Sequence, residues 1–149
     1  MNAIIVNQII QRDLNRLKNE LLAYQEEKRI WQVESGIANS AGNLCLHLAG
    51  NLNTYIGMAL GGIEYVRERD LEFSRKDVPR TELVDMIGHT MAVVQAALEK
   101  LTEEQLAEDF PMLVLDERTS TGFMLIHLTA HLNYHLGQVN YHRRLLDRR

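Results

Sequence analysis

Apolar residues recur every three or four positions along almost the whole chain, which is the spacing of one face of an α-helix. In the first segment these residues are Ile10, Leu14, Leu17, Leu21, Tyr24 and Trp31. No segment sustains the alternation of every second residue that a half-buried strand requires. Only two prolines interrupt the 149 residues, so long helices can form. The pattern therefore predicts an all-α protein.

Stretches of small and turn-forming residues divide the chain into four predicted helices. These cover residues 3–33, 44–62, 81–101 and 120–146. Ser40 or Asn43 can cap the second helix, and Thr102 and Gln105 have the spacing of a capping box, which predicts a short extra turn. Because each helix has one apolar face, we expect a four-helix bundle in one domain that spans residues 1–149.

Composition and charge argue against several classes of protein. The net charge is −4, so binding to nucleic acid through its phosphates is not expected. The basic tail, residues 142–149, is interpreted as cations that complement the dipole of a helix C-terminus. The apolar run near the N-terminus is broken by Asn7 and Gln8 and is too short to span a bilayer. A single cysteine, Cys45, permits no internal disulfide, so a cytoplasmic location is the default expectation.

Three histidines stand four residues apart in the last predicted helix: His127, His131 and His135. Each step advances about 40° beyond a full turn, so the rings form a narrow stripe. This stripe borders the apolar face that includes Leu128 and Leu132. Two imidazoles at this spacing can converge on one metal ion. The spacing leaves open which neighbouring pair does so, and it leaves open a purely structural role.

His47 lies in the apolar run LCLHLAGNL of the second predicted helix. It can complete a metal site with the last helix, with Asn43 and Asn51 as hydrogen-bond partners at i−4 and i+4. The alternative is a buried histidine that bonds a backbone carbonyl. His89 and His142 are interpreted as surface or interface residues.

Other residues near these histidines have two interpretations. The second predicted helix is rich in Ala, Gly and Asn, so a neighbouring helix or a partner subunit can approach it closely. Gly137 weakens the last helix and is expected to serve a close approach to another backbone. Tyr55 can line a pocket beside His47 or pack in the core. The candidate general bases, each interpreted as a solvated charge, are Glu64, Glu68, Asp70, Asp116 and Glu117.

One histidine followed by H-x-x-x-H-x-G-Q (HLNYHLGQ, residues 131–138) resembles the DinB/YfiT-like superfamily of metal-binding four-helix bundles. The stretches SAGNLCLHLAGNLNTYI and RERDLEF point to an uncharacterised subgroup, and the resemblance covers about residues 35–145. It implies that His47, His131 and His135 are the metal ligands. It also implies a divalent transition metal, nickel or zinc, and a homodimer. Several characterised relatives are transferases or isomerases that use a low-molecular-weight thiol.

Two functions are open to such a chain. The first is a metal-dependent transferase or hydrolase for a small molecule, in which three neutral imidazoles leave one coordination position for water or substrate. The second is a non-enzymatic dimeric bundle whose histidines bind metal structurally or not at all. In that case the small residues between Gly50 and Gly62 would form the functional surface. Imidazole suits several transition metals, so ligand type does not select among them.

Overall fold

The structure is a computed structural model that describes residues 2–148. These residues contain six α-helices. They are α1 (Ala3–Ala23), α2 (Ala41–Leu52), α3 (Arg69–Ser74), α4 (Arg80–Leu98), α5 (Glu103–Ala107) and α6 (Thr121–Leu146). A 3₁₀-helix, Glu27–Trp31, follows α1, and a π-helical segment, Asn53–Met58, continues α2. The prediction of an all-α protein is confirmed.

The four longest helices form the bundle, in which α1 and α2 each contact both α4 and α6. α1 and α6 run in the same direction, because Asn133 donates to Asp13 at 2.9 Å and Asn140 donates to Glu20 at 2.7 Å. Fully buried side chains from all four helices fill the centre, among them Ile10, Leu14, Leu48, Leu52, Leu83, Ile87 and Leu132. Burial of the predicted apolar faces therefore holds the bundle together.

The first helix is shorter than predicted, since α1 ends at Ala23 instead of continuing to residue 33. The backbone N–H groups of Gln25 and Glu26 donate to the Asp147 carboxylate at 2.6 and 3.3 Å. The chain turns there, and the 3₁₀-helix that follows carries Trp31 into the core. Trp31 stands at a position where the apolar spacing of α1 would place another buried residue, although it belongs to the 3₁₀-helix. For this reason the sequence pattern predicted one continuous helix.

The charged stretch that was predicted as a connection, residues 64–80, contains the short helix α3. α3 packs on α2, where a Cβ on Gly50 would overlap the Glu72 carboxylate. Gly57 is likewise covered by Val93 and Ile63 of the same chain. The predicted close approach to the second helix is confirmed. However, its partner lies within the chain, so these glycines provide no free interaction surface.

The starts of three helices, α2, α5 and α6, agree with their sequence signals. Ser40 caps α2 and Ser120 caps α6 through side-chain oxygens that accept backbone hydrogen bonds. Thr102 and Gln105 form the predicted capping box around α5. Within residues 2–148, no helix combines the length and the apolar character needed to cross a bilayer.

Candidate metal centre

α2 and α6 bring three imidazole rings to one place. Nitrogen atoms of His47, His131 and His135 all lie within 4.8 Å of one another. His47 Nε2 is 3.2 Å from His131 Nε2, and the ring centroids of His131 and His135 are 4.6 Å apart. His47 is buried and the other two rings are partly exposed, so the group is open on the α6 side.

The spacing of these nitrogens is close to that of ligands around one ion. Two nitrogens that each lie about 2.0–2.1 Å from a tetrahedral zinc ion are roughly 3.3 Å apart. The distance of 3.2 Å between the Nε2 atoms of His47 and His131 matches this value. The remaining distances to the His135 nitrogen stay within 4.8 Å.

Glu72, on α3, holds the far side of the His47 ring. Its Oε1 lies 3.1 Å from Nδ1 of His47. A carboxylate only accepts, so Nδ1–H of His47 donates to Glu72 and the lone pair of Nε2 points toward His131. Carboxylates that orient a ligating histidine in this way are a common second layer of metal sites.

Arg67 keeps Glu72 ionised in this buried position. The guanidinium donates to both carboxylate oxygens, from Nε to Oε2 at 2.8 Å and from Nη2 to Oε1 at 2.9 Å. Burial alone would raise the pKa of Glu72, but the hydrogen bonds from His47 and Arg67 outweigh it and hold that pKa below its usual range. Near neutral pH, Glu72 is therefore a carboxylate that fixes the orientation of His47.

Gln138 plays the corresponding part for His135. The distance from Nδ1 of His135 to Oε1 of Gln138 is 2.6 Å, so Nδ1–H donates and Nε2 is left with its lone pair. Burial lowers the pKa of His135, although the bond to Gln138 opposes this effect. The ring is thus neutral near pH 7, which is the form that a metal ion requires. The H-x-G-Q ending of the motif has a physical explanation in this pair.

Of the three rings, His131 is the one without a carboxylate or amide partner within the described residues to offset its burial. Burial, aided by the neighbouring His135 and His47, lowers the pKa of His131 to about 4. Its Nδ1 is buried and has no hydrogen-bond partner among residues 2–148. Unpaired buried polar atoms are costly, and the polar contact that His131 does make is Nε2 to Nε2 of His47. A cation between the rings would be a common partner for the Nε2 atoms of His47 and His131, which face each other at 3.2 Å, so the donor set fits a metal ion.

Three further histidines lie outside the group. The His127 ring stacks on His131 with the centroids 6.5 Å apart and forms the rim. His89 is exposed on α4, as predicted. The prediction for His142 is wrong: it is buried, and its ring nitrogens contact Tyr24 Oη at 2.6 Å and the backbone oxygen of Gln32 at 2.8 Å.

The predicted hydrogen-bond partners of His47 are also wrong. Asn43 instead donates to the backbone oxygens of Glu72 and Arg75, at 2.9 and 2.8 Å. Asn51 is buried, and its Oδ1 has no partner among the residues described. Asn43 is therefore hydrogen-bonded to backbone oxygens at and just after α3, and His47 is hydrogen-bonded to the Glu72 carboxylate of α3.

Glu72 was not among the predicted site residues, although the nearby carboxylates Glu68 and Asp70 were candidate general bases. The five carboxylates that were interpreted as solvated are all exposed: Glu64, Glu68, Asp70, Asp116 and Glu117. Glu72 differs because it stands between Leu71 and Phe73 in the RERDLEF stretch, and the Phe73 ring packs on His47 at 5.0 Å. An acidic residue between two apolar ones was the available signal.

Tyr55 contacts Arg67 of the Arg67–Glu72 pair, which in turn supports the His47 ring. Its hydroxyl lies 3.5 Å from Nη1 of Arg67, whose guanidinium carbon sits 5.6 Å from the Tyr55 ring centroid. The same ring packs on Phe110 with the centroids 6.5 Å apart. Tyr55 thus helps to hold Arg67 in place.

Residues 4–149 match the family described as "Protein of unknown function (DUF1572)". No curated protein matches the chain. A similar solved structure is described as the crystal structure of the conserved protein of a locus from Enterococcus faecalis. It is 17% identical, covers 98% of each chain and superposes with a TM-score of 0.77. This likeness shows a shared fold.

Proposed function

Because the chain belongs to the DUF1572 family, for which no function is described, we propose from the site itself that it binds one divalent transition metal ion. The ligands are His47, His131 and His135. The proposal rests on one observation: ring nitrogens of the three histidines lie within 4.8 Å of one another, while Glu72 and Gln138 bind the outward nitrogens of two of the rings. The resemblance to the DinB/YfiT-like superfamily favours nickel or zinc.

The chemistry we propose is that of a metal-dependent transferase or hydrolase for a small molecule. An ion held by three imidazoles supplies Lewis acidity at a position open to water or a substrate atom. The Arg67–Glu72 pair and Gln138 keep the rings oriented. Glu72 is already engaged by His47 and Arg67. This engagement favours a nucleophile that ionises readily, such as a low-molecular-weight thiol.

The second candidate is a non-enzymatic bundle in which the ion only stabilises the contact between α2 and α6. One observation favours it: among residues 2–148, the five candidate general bases are exposed and the carboxylate beside the rings is occupied. Both candidates are compatible with a cytoplasmic location, since Cys45 is buried and unpaired.

Metal analysis of untagged protein tests the site. We expect about one divalent ion per chain in the wild type, as a single site holds, and almost none in His131→Ala. The matched control is His89→Ala, which removes an exposed histidine from another helix and should leave the metal content unchanged. Equal metal content in His131→Ala and the wild type would remove the basis for the proposal.

A substrate screen then separates the two candidates. Metal-loaded and chelated protein are compared on thiol-transfer and ester substrates, each with and without a low-molecular-weight thiol. Turnover that chelation abolishes and reloading restores supports the enzyme. Stoichiometric metal without turnover of any of these substrates favours the structural role.

A further inference from the structure

A cavity of about 290 Å³ lies next to the histidine group, between the start of α2 and the end of α6. Its walls are residues 36–39 of the loop before α2, Leu44 of α2, and side chains of α6 between Gln138 and Leu146. We call it the α2–α6 cavity. It adjoins the histidine group through Gln138, whose Oε1 is 2.6 Å from Nδ1 of His135. The cavity therefore shares a supporting residue with the candidate metal centre, although the three ligands are not part of its walls.

The loop wall of the cavity is built by a glycine turn. Gly36 has a φ of 88°, a left-handed conformation that glycine adopts without a clash of a Cβ. After this turn residues 37–39 line the cavity, and Ser40 caps α2. At the start of the loop, the backbone oxygen of Gln32 lies 2.8 Å from Nε2 of His142. The loop is thus fixed to α6 next to the cavity, which His142 itself lines.

Several apolar side chains of the cavity wall remain accessible to solvent. Ile37, Tyr141 and Leu145 keep 39%, 63% and 53% of their surface exposed, and all three line the cavity. Apolar side chains that surround a concave site are typical of sites for small molecules. An apolar molecule in the cavity would remove part of this surface from water, which favours its binding.

The walls of the cavity carry no acidic side chain, lysine or arginine among residues 2–148. Arg144 lies over the Tyr141 ring at 5.4 Å, but it does not line the cavity. His142 does line it, and both of its ring nitrogens already have partners in Tyr24 and Gln32. A charged group would lose its hydration on entering and would find no opposite charge. The lining therefore favours an uncharged ligand.

The volume of the cavity and the Gln138 amide define this ligand further. The Gln138 oxygen accepts from His135, which leaves the NH₂ group of the same amide to donate to an oxygen atom of a ligand. An apolar cavity of about 150 Å³ holds one benzene molecule. A volume of 290 Å³ therefore accommodates roughly two fused rings, or an aliphatic group of similar size.

We propose that the α2–α6 cavity binds the apolar body of an uncharged small molecule that accepts a hydrogen bond from Gln138. Because Gln138 also contacts His135, a reactive group next to that acceptor would face the three histidines. This orientation rests on the metal-dependent reaction proposed above and specifies its substrate class, an uncharged aromatic or aliphatic compound of about two rings in size. Binding in the cavity itself requires no metal, since the three ligands do not line it.

Fluorescence titration of the full chain with methoxynaphthalene, in the presence of a chelator, tests the cavity. We expect one molecule to bind per chain, with a Kd of about 10–100 µM for a compound of this size. Leu145→Asp should weaken binding by about tenfold or more, because it places a charge in the apolar wall. The matched control is Ile126→Asp, on the same helix, since both side chains are 53% exposed but Ile126 does not line the cavity. The absence of saturable binding, or equal affinities of the two variants, would overturn the proposal.

Two further measurements make the test independent of a single variant. Ala38→Trp fills the cavity from an exposed position of the loop, so it should abolish binding and leave the circular dichroism spectrum unchanged. Naphthoate, an anionic compound of similar size, should bind the chelated chain more weakly than methoxynaphthalene does. Wild-type affinity in Ala38→Trp, or tighter binding of naphthoate, would contradict a cavity for an uncharged ligand.

Naphthalenethiol tests the orientation toward the histidines. Zinc should tighten its binding by about tenfold or more, because the thiol can release its proton to the solvent and bind zinc as the thiolate. Methoxynaphthalene should bind equally with and without zinc, and His131→Ala should show no gain for the thiol. Zinc in the site without a gain for the thiol would overturn the orientation. Absence of zinc from the site would instead refute the proposed metal site, and the methoxynaphthalene titration would still decide on the cavity.

Discussion

His142 and His131 lie on the same helix, and burial lowers the pKa of both, yet their surroundings differ completely. Both ring nitrogens of His142 have partners, the hydroxyl of Tyr24 and the backbone oxygen of Gln32. His131 has one nitrogen facing another imidazole and one with no partner in the part of the chain that the structure describes. Burial therefore does not distinguish a ligand from a core histidine, whereas a ring nitrogen that faces another imidazole does.

The two regions also differ in where their support lies. The partners of His142 contact its ring directly and give each ring nitrogen a hydrogen-bond partner. In the group of three histidines, Glu72 and Gln138 satisfy the nitrogens that point outward, and the inward nitrogens face each other. Such a shell orients rings toward a common point, and the predictions below test whether that point binds an ion.

The largest expected effect is a gain in stability on adding zinc or nickel. At a free metal concentration near 1,000 times Kd, the free energy of unfolding should rise by about 4 kcal/mol, or roughly 8–16 °C in Tm for a chain of this size. His47→Ala should show no such gain. His142→Leu should show the full gain from a lower starting point. Calorimetry with and without a chelator measures it, and a full gain in His47→Ala would contradict the assignment.

Next comes the loss of stability in His142→Leu. The Tyr24 hydroxyl and the Gln32 carbonyl would lose their partner, which should cost about 2–4 kcal/mol in the free energy of unfolding. Metal content should stay at the wild-type level. The matched variant is His131→Leu, which should lose the metal but less of the metal-free stability. Urea unfolding with a chelator checks the order of the two, and the reverse order would refute the comparison.

Glu72→Gln should weaken metal binding by about 10–100-fold, as removal of an outer partner of a ligating histidine does. Glutamine keeps the shape but removes the charge that holds Nδ1–H of His47. A competition titration against a chromophoric chelator measures the affinity. Glu68→Gln, at an exposed position nearby, is the control. Equal affinities for the two variants would mean that Glu72 does not support the site.

Gly50→Ala should have a smaller effect on the same affinity, up to about tenfold. The new methyl would overlap the Glu72 carboxylate and push it away from His47. In Gly88→Ala the methyl enters open space, so metal affinity should be unchanged and the helix should gain about 0.5–1 kcal/mol. The same titration decides, and an unchanged Gly50→Ala would show that α3 shifts without cost.

The smallest expected effect is the pH dependence of the metal-free chain. Burial lowers the pKa of His142, although its bond to Gln32 opposes this. Below pH about 6.5, the unfolded chain therefore takes up more protons than the folded one, and stability falls as pH falls. His142→Leu removes one such group and should lose less stability between pH 7.5 and 6.0. Urea unfolding at both values checks this, and an equal loss would argue against the burial of His142.

The bundle was predictable because periodicity and caps agree over long segments. α6 is the clearest case, since Ser120 and the apolar steps that follow define its start. α1 and α3 show where this fails. Trp31 continued the apolar phase beyond the true end of α1, and the charges of α3 concealed a helix that is fixed by the hydrogen bonds of Asn43.

The site was predictable only in part. The spacing of the histidines gave a stripe on one helix, and the resemblance selected His131 and His135 over His127. Glu72 and Arg67 were not found, because they lie on or near a helix that was not predicted and meet His47 only through tertiary packing. The close approach expected at Gly137 is not found among the residues described, since a Cβ there would meet no atom within 4 Å.

The most direct test of the site follows the imidazole nitrogens themselves. Zinc is titrated into the ¹⁵N-labelled chain, and the ring signals of the histidines are followed by long-range ¹H–¹⁵N spectroscopy. Nitrogens of His47, His131 and His135 should shift together and saturate at one ion per chain, while those of His142 stay unchanged. Saturation without any change at His47, on the separate helix α2, would contradict a site built from both helices.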